Sequence, residues 1–163
     1  MTNQKLAKIA LLSATALIFG YIESLLPPLF LPGIKLGISN IVLLFAIYEL
    51  DKTSAFFIML IKVTVSALLF SGMNVFFYSL SGGILSLLIM TTFRRKYFSI
   101  TGVSILGGVF HNIGQLLVAA ILLGNNALYY FPVLLISGAV MGVLTGMVCH
   151  RVLKHTKNAM HRK

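Results

Sequence analysis

A chain of 163 residues that is 58% hydrophobic and only 10% charged, with a mean hydropathy of +0.98, cannot wet the surface of a soluble domain, which takes roughly 25% charged residues. Between Tyr97 and His150 there is no Asp, Glu, Lys or Arg. A soluble enzyme, a nucleic-acid binder and a disordered tail are excluded, and a single membrane domain over residues 1–163 is expected, its main partner the lipid bilayer. The net charge of +10 does not restore nucleic acid as a partner, because the basic residues flank apolar runs, where positive charge holds loops on the cytoplasmic side.

Taken in chain order, the apolar runs predict six membrane spans, at about 9–26, 36–50, 53–70, 75–93, 101–123 and 129–153. Lys5 and Lys8 precede an apolar run that contains Ala14-Thr15-Ala16, as in a signal peptide. The apolar stretch before that tripeptide is too short for one, and the run continues to Ile22, so a retained first span is expected. Pro27-Pro28 and Pro32-Gly33 close it. The second span is short, so part of the loop before it is expected to dip into the membrane. Glu49, Asp51 and Lys52 form a polar turn, and the third span is interrupted only by Lys62. Ser71-Gly72-Met73-Asn74 signals the next turn, Arg94-Arg95-Lys96 stops the fourth span, and Gly124-Asn125-Asn126 ends the fifth. With the N-terminus inside, nearly all basic residues fall on the cytoplasmic side and the outer loops hold only Lys35. That asymmetry requires an even number of spans, and the expected fold is an all-α bundle of six transmembrane helices with both termini cytoplasmic. The runs do not alternate at period two, which excludes a β-barrel, and no internal repeat supports inverted-repeat transporter architecture.

Polar residues inside spans are costly and usually face a bundle interior or a cavity. The fifth span carries Ser104, Gly108, His111, Gln115 and Ala119 on one helical stripe, with Asn112 beside it. Lys62 lies near the middle of the third span, Glu23 ends the first on the outer side, Lys35 lies in the outer loop, and Asn40 falls one turn into the second. Glu23, Lys35, Asn40, Lys62, His111, Asn112 and Gln115 are therefore expected to line a ligand site in the outer half of the bundle. Two cations, a carboxylate, an imidazole and three carboxamides suit a small polar or anionic molecule. The plainer alternative is that Lys62 pairs with Glu23 and the amides bridge helices. Gly138, Gly142 and Gly146 form overlapping GxxxG patterns and Ala10 and Ala14 a small-xxx-small pair; both are expected to admit close helix packing.

Catalytic signatures are missing from the sequence. Prenyl-diphosphate chemistry needs clustered carboxylates to hold magnesium, and the acidic residues here are only Glu23, Glu49 and Asp51. No phosphate-binding loop for ATP occurs, Ser81-Gly82-Gly83 lies inside a span without a nucleophile signature, and the lone Cys149 makes neither a disulfide nor a thiolate metal site. No catalytic residue, cofactor or metal is expected.

Three segments together carry a resemblance: Pro32-Gly33-Ile34-Lys35-Leu36-Gly37-Ile38-Ser39-Asn40-Ile41, then Ser79 to Ser86 with Met90, then Val103 to Leu116 with its Gly107-Gly108-Val109-Phe110-His111-Asn112 core. They resemble the bacterial family called Gx transporter or heptaprenyl diphosphate synthase component I, itself similar to the substrate-binding S components of energy-coupling factor (ECF) vitamin transporters. The resemblance implies residence in the bacterial cytoplasmic membrane. It implies six helices, a loop after the first helix that lids an outward-facing site, and an Ala-x-x-x-Ala pair docking a shared membrane subunit coupled to ATPases. Ala10 and Ala14 match that pair, and Lys35 stands in the lid position. The family name implies instead a noncatalytic membrane partner of a prenyl synthase in prenyl or quinone synthesis. Members also resemble a membrane component of flavin-based extracellular electron transfer, so the ligand is open among vitamins, prenyl diphosphates and quinone-like molecules.

Overall fold

The computed structural model describes residues 2–25, 37–94 and 98–160, and only the backbone at residues 157, 159 and 160. Among the described residues there is no strand. The elements are α1 (Asn3–Ser24), α2 (Asn40–Glu49), α3 (Lys52–Ser66), a π-helical turn (Ala67–Ser71), α4 (Gly72–Phe93), α5 (Ile100–Leu123), a 3-10 turn (Asn125–Tyr130) and α6 (Phe131–Met160). Four helical stretches are long and apolar enough to cross a membrane, Asn3–Ser24, Lys52–Phe93, Ile100–Leu123 and Asn125–Thr156, and Asn40–Glu49 is a shorter apolar helix. The chain is a multi-pass helical membrane protein. Leu11, Leu69, Ile121 and Ile136 stand exposed on the outside, where lipid tails accept them as readily as a core would.

Several elements depart from the expected boundaries for local reasons. α1 begins at Asn3, ahead of the apolar run, because the Thr2 hydroxyl accepts from Lys5 N and caps the first turn. α2 starts at Asn40, since Gly37 just before it sits at φ +84°, a conformation glycine enters without penalty. It is apolar on every side, and Val42, Leu43, Leu44, Ala46 and Ile47 are all buried, as a helix without a polar face must be. The stretch Lys52–Phe93 is not one rod. The α-helix loosens into the π turn after Ser66, and Gly72 at φ +78° turns the chain back. α4 then packs along α3, with Gly83 so close to Met59 that a methyl there would lie 3.0 Å from the sulfur. α6 continues past residue 153 to Met160, because neither Gly nor Pro stops it among its last polar residues.

One end of the bundle is basic. Lys5 Nζ lies 2.7 Å from the Asp51 carboxylate, which also caps α3 by accepting from Ser54 N at 2.9 Å. Those contacts, the Lys5 ammonium first, hold the Asp51 carboxyl down at about 2. Arg94, at the end of α4, donates to the Tyr48 carbonyl at 3.3 Å and stacks 5.3 Å over its ring. A pocket between Tyr48, Ser99, His150 and Lys154 brings the start of α5 and the far part of α6 to the same end.

α5 runs between α4 and α6 and touches both through glycine. A methyl on Gly142 would lie 2.5 Å from the Ile105 Cα, one on Gly146 2.7 Å from the Thr101 Cα, and one on Gly138 2.7 Å from the Gly108 carbonyl oxygen. On the other side, Ser81 Oγ donates to the Gly114 carbonyl at 2.7 Å, and a methyl on Gly114 would lie 2.8 Å from the Gly82 Cα. Backbones this close fix the rotation of α5, and with it the direction in which its polar residues point.

Candidate ligand site

The polar stripe of α5 meets different neighbours along its length. In its first half it faces α6, where Ser104 Oγ lies 2.8 Å from Thr145 Oγ1 and Gly108 abuts Gly138. In its second half His111 and Gln115 turn toward α4 and the start of α2. One helical turn apart and both fully buried, they share a 2.8 Å contact between His111 Nε2 and the Gln115 carboxamide nitrogen.

Two glycines make room for them. A methyl on Gly82 of α4 would lie 2.7 Å from the His111 carbonyl oxygen, 2.9 Å from its Nδ1 and 3.0 Å from Gln115 Cγ. Gly37 sits where three elements meet. Its N–H donates to the Glu23 carboxylate at the end of α1, and a methyl on it would lie 2.9 Å from Asn40 Nδ2 and 3.4 Å from His111 Cδ2. Lys62 of α3 is 7% exposed and Glu23 6%. Both have partners.

Glu23, Asn40, His111 and Gln115 thus gather around Gly37 and Gly82, and Lys62 is buried on α3. Asn112 stands apart: its Nδ2 donates to the Leu134 carbonyl at 2.8 Å and to Ser137 Oγ at 3.1 Å, bridging α5 to α6. Lys35 lies outside the described residues. Ala10 and Ala14 lie on the exposed face of α1, away from this cluster. The two glycines were visible in the sequence only as members of the motifs Gly-Ile-Ser-Asn and Ser-Gly-Gly, and neither motif states which side chain the glycine accommodates.

Two polar atoms of the cluster, Asn40 Oδ1 and Gln115 Oε1, are buried with no hydrogen-bond partner among the described residues. Each such atom costs about 1–3 kcal/mol. Carboxamides and an imidazole offer both donors and acceptors, so the cluster can clasp a polar molecule from several sides. No group of three His, Cys, Asp or Glu that would hold a metal comes together among the described residues.

Residues 12–152 match the family described as heptaprenyl diphosphate synthase component I. No curated protein and no solved structure matches the chain.

Proposed function

From the premise that the chain belongs to the heptaprenyl diphosphate synthase component I family, we propose that it is a substrate-binding membrane component, similar to the S components of ECF transporters. Its ligand is a small polar or anionic molecule related to a vitamin, a prenyl compound or a quinone, held among Glu23, Lys35, Asn40, Lys62, His111 and Gln115. Six spans with both termini cytoplasmic, in the bacterial cytoplasmic membrane, complete the reading. The observation that carries it is that the carboxamide oxygens of Asn40 and Gln115 are buried with no hydrogen-bond partner among the described residues. In a structural network these atoms would face donors of the protein, whereas a bound molecule would satisfy both.

The family name supports a second reading, a noncatalytic partner of a prenyl synthase. One purification in mild detergent from native membranes separates the two. Native mass spectrometry of the wild type is expected to show a small bound molecule, lost in Lys62→Met and Gln115→Leu while the protein stays monodisperse. Full retention of the ligand in both variants would make the cluster structural and end the binding reading. The exposed pair Ala10 and Ala14 supplies the partner arm. Wild type is expected to bring down an ECF-type membrane subunit and Ala10→Leu/Ala14→Leu to lose it, because bulk there prevents close helix approach. Equal recovery of a prenyl synthase with both would overturn the transport reading in favour of the second.

A further inference from the structure

At the basic end, the last turn of α2, the first turn of α5 and the far part of α6 enclose a pocket of about 430 Å³, within the range that holds small-molecule groups. It lies about 17 Å along α5 from His111, at roughly 1.5 Å per residue, and is separate from the cluster described above.

Its walls divide by chemistry. His150 and Lys154, four residues apart on α6, bring two nitrogen groups to one side. Ser99 opens α5, its hydroxyl accepting from Gly102 N at 3.1 Å, where the first-turn N–H groups of a helix lack intrahelical acceptors. Tyr48 forms another wall, and the Arg94 guanidinium stacked on its ring carries a buried Nε with no partner among the described residues. Phe98, Ile100 and Leu153 are the apolar part, Phe98 with 45% of its surface still exposed. Among the described residues, no acidic one lines the pocket.

A cationic pocket with an apolar lip, placed where α6 leaves its apolar run, fits one kind of ligand. We propose that this pocket binds the phosphate group of an anionic membrane amphiphile, with His150, Lys154 and the start of α5 on the phosphate and Phe98 against the first part of its tail. A soluble phosphate has no use for the apolar lip, and a zwitterionic headgroup would bring its own cation against Lys154.

The test is native mass spectrometry of the full chain in detergent, titrated with dioleoyl phosphatidylglycerol or dioleoyl phosphatidylcholine. Phosphatidylglycerol is expected to be retained at a concentration at least tenfold lower than phosphatidylcholine. His150→Gln/Lys154→Gln should weaken phosphatidylglycerol retention by about fivefold or more, the effect of losing one interfacial cation, and leave phosphatidylcholine unchanged. Arg151→Gln/His155→Gln removes equal formal charge from exposed positions of the same helix that do not line the pocket, and should change retention less than twofold. An equal loss in both double variants would assign the effect to the general charge of the helix end and overturn the proposal. Inorganic diphosphate at equal concentration should not displace the lipid; displacement would show a soluble anion to be the ligand and overturn the amphiphile assignment.

Discussion

Gly20 of α1 and Gly82 of α4 both lie inside helices, yet a methyl group would fare differently on each. At Gly20 it meets nothing within 4 Å, so Gly20→Ala is expected to leave the protein as stable or raise stability by roughly 0.5–1 kcal/mol, the ordinary gain of alanine over glycine in a helix. At Gly82 it meets the His111 carbonyl at 2.7 Å, backbone that cannot rotate away, and Gly82→Ala should cost about 1–3 kcal/mol and displace the imidazole. Thermal melts followed by circular dichroism would register the contrast, and an unshifted melt for Gly82→Ala would mean that α4 and α5 are less tightly joined than described. His111 and Gln115 were legible in the sequence because two polar residues one turn apart in an apolar run must turn inward together. The direction of Asn112 was not, since the same carboxamide serves a ligand or a neighbouring carbonyl equally well, and the sequence does not show that Leu134 and Ser137 on α6 take its nitrogen.

At the scale of elements, the apolar runs located the helices and the turn residues located most breaks. Gly72 and Gly124 turn the chain at positive φ where the sequence placed turns. The ends were less legible: polar residues at the start of α1 and the end of α6 are helical because caps and the absence of breakers, not hydropathy, decide where a helix stops. The join between α5 and α6 rests on Gly108, Gly138, Gly142 and Gly146, with the Ser104–Thr145 contact between them. Gly142→Leu should therefore force these helices apart. Its bulk has no void to enter, and the expected result is a melting temperature lower by several degrees together with loss of monodispersity in detergent. Leucine at Val140, exposed on the same helix, should do neither; matching melts for the two variants would refute the glycine contact.

For the whole molecule, the structure gathers Lys5, Asp51, Arg94, His150 and Lys154 at one end, and the basic excess there predicts the cytoplasmic side. Cysteine accessibility in intact cells checks this, after replacement of Cys149, which is buried. Asn125→Cys should react with an impermeant maleimide from outside and Lys96→Cys only after permeabilisation. The reverse pattern would invert the topology. How the chain is distributed across the bilayer was only half legible in the sequence. Charge placement announces a side, while the number of crossings depends on α2, whose apolar run is too brief for length alone to assign it.

That brevity has an electrical consequence. Ten residues of helix reach about 15 Å, half of a hydrocarbon core about 30 Å thick, so with Glu49 at the basic rim the Asn40 end of α2 stops near mid-depth. Irregular backbone such as Gly37 to Ser39 is tolerated at that depth only where protein or water surrounds it. Were water rather than protein to fill that level from the far side, it would carry the outer potential inward, and the transmembrane voltage would fall mainly between the Asn40 end of α2 and the basic rim. On the transport reading proposed above, an anion arriving beside Lys62 from the far side would cross little of that field. Carrying it onward to the rim would cross most of it, against or along about 2.3 kcal/mol per charge for each 100 mV. On that reading, capture would be electrically silent, and release to the basic side would be the step on which membrane potential acts.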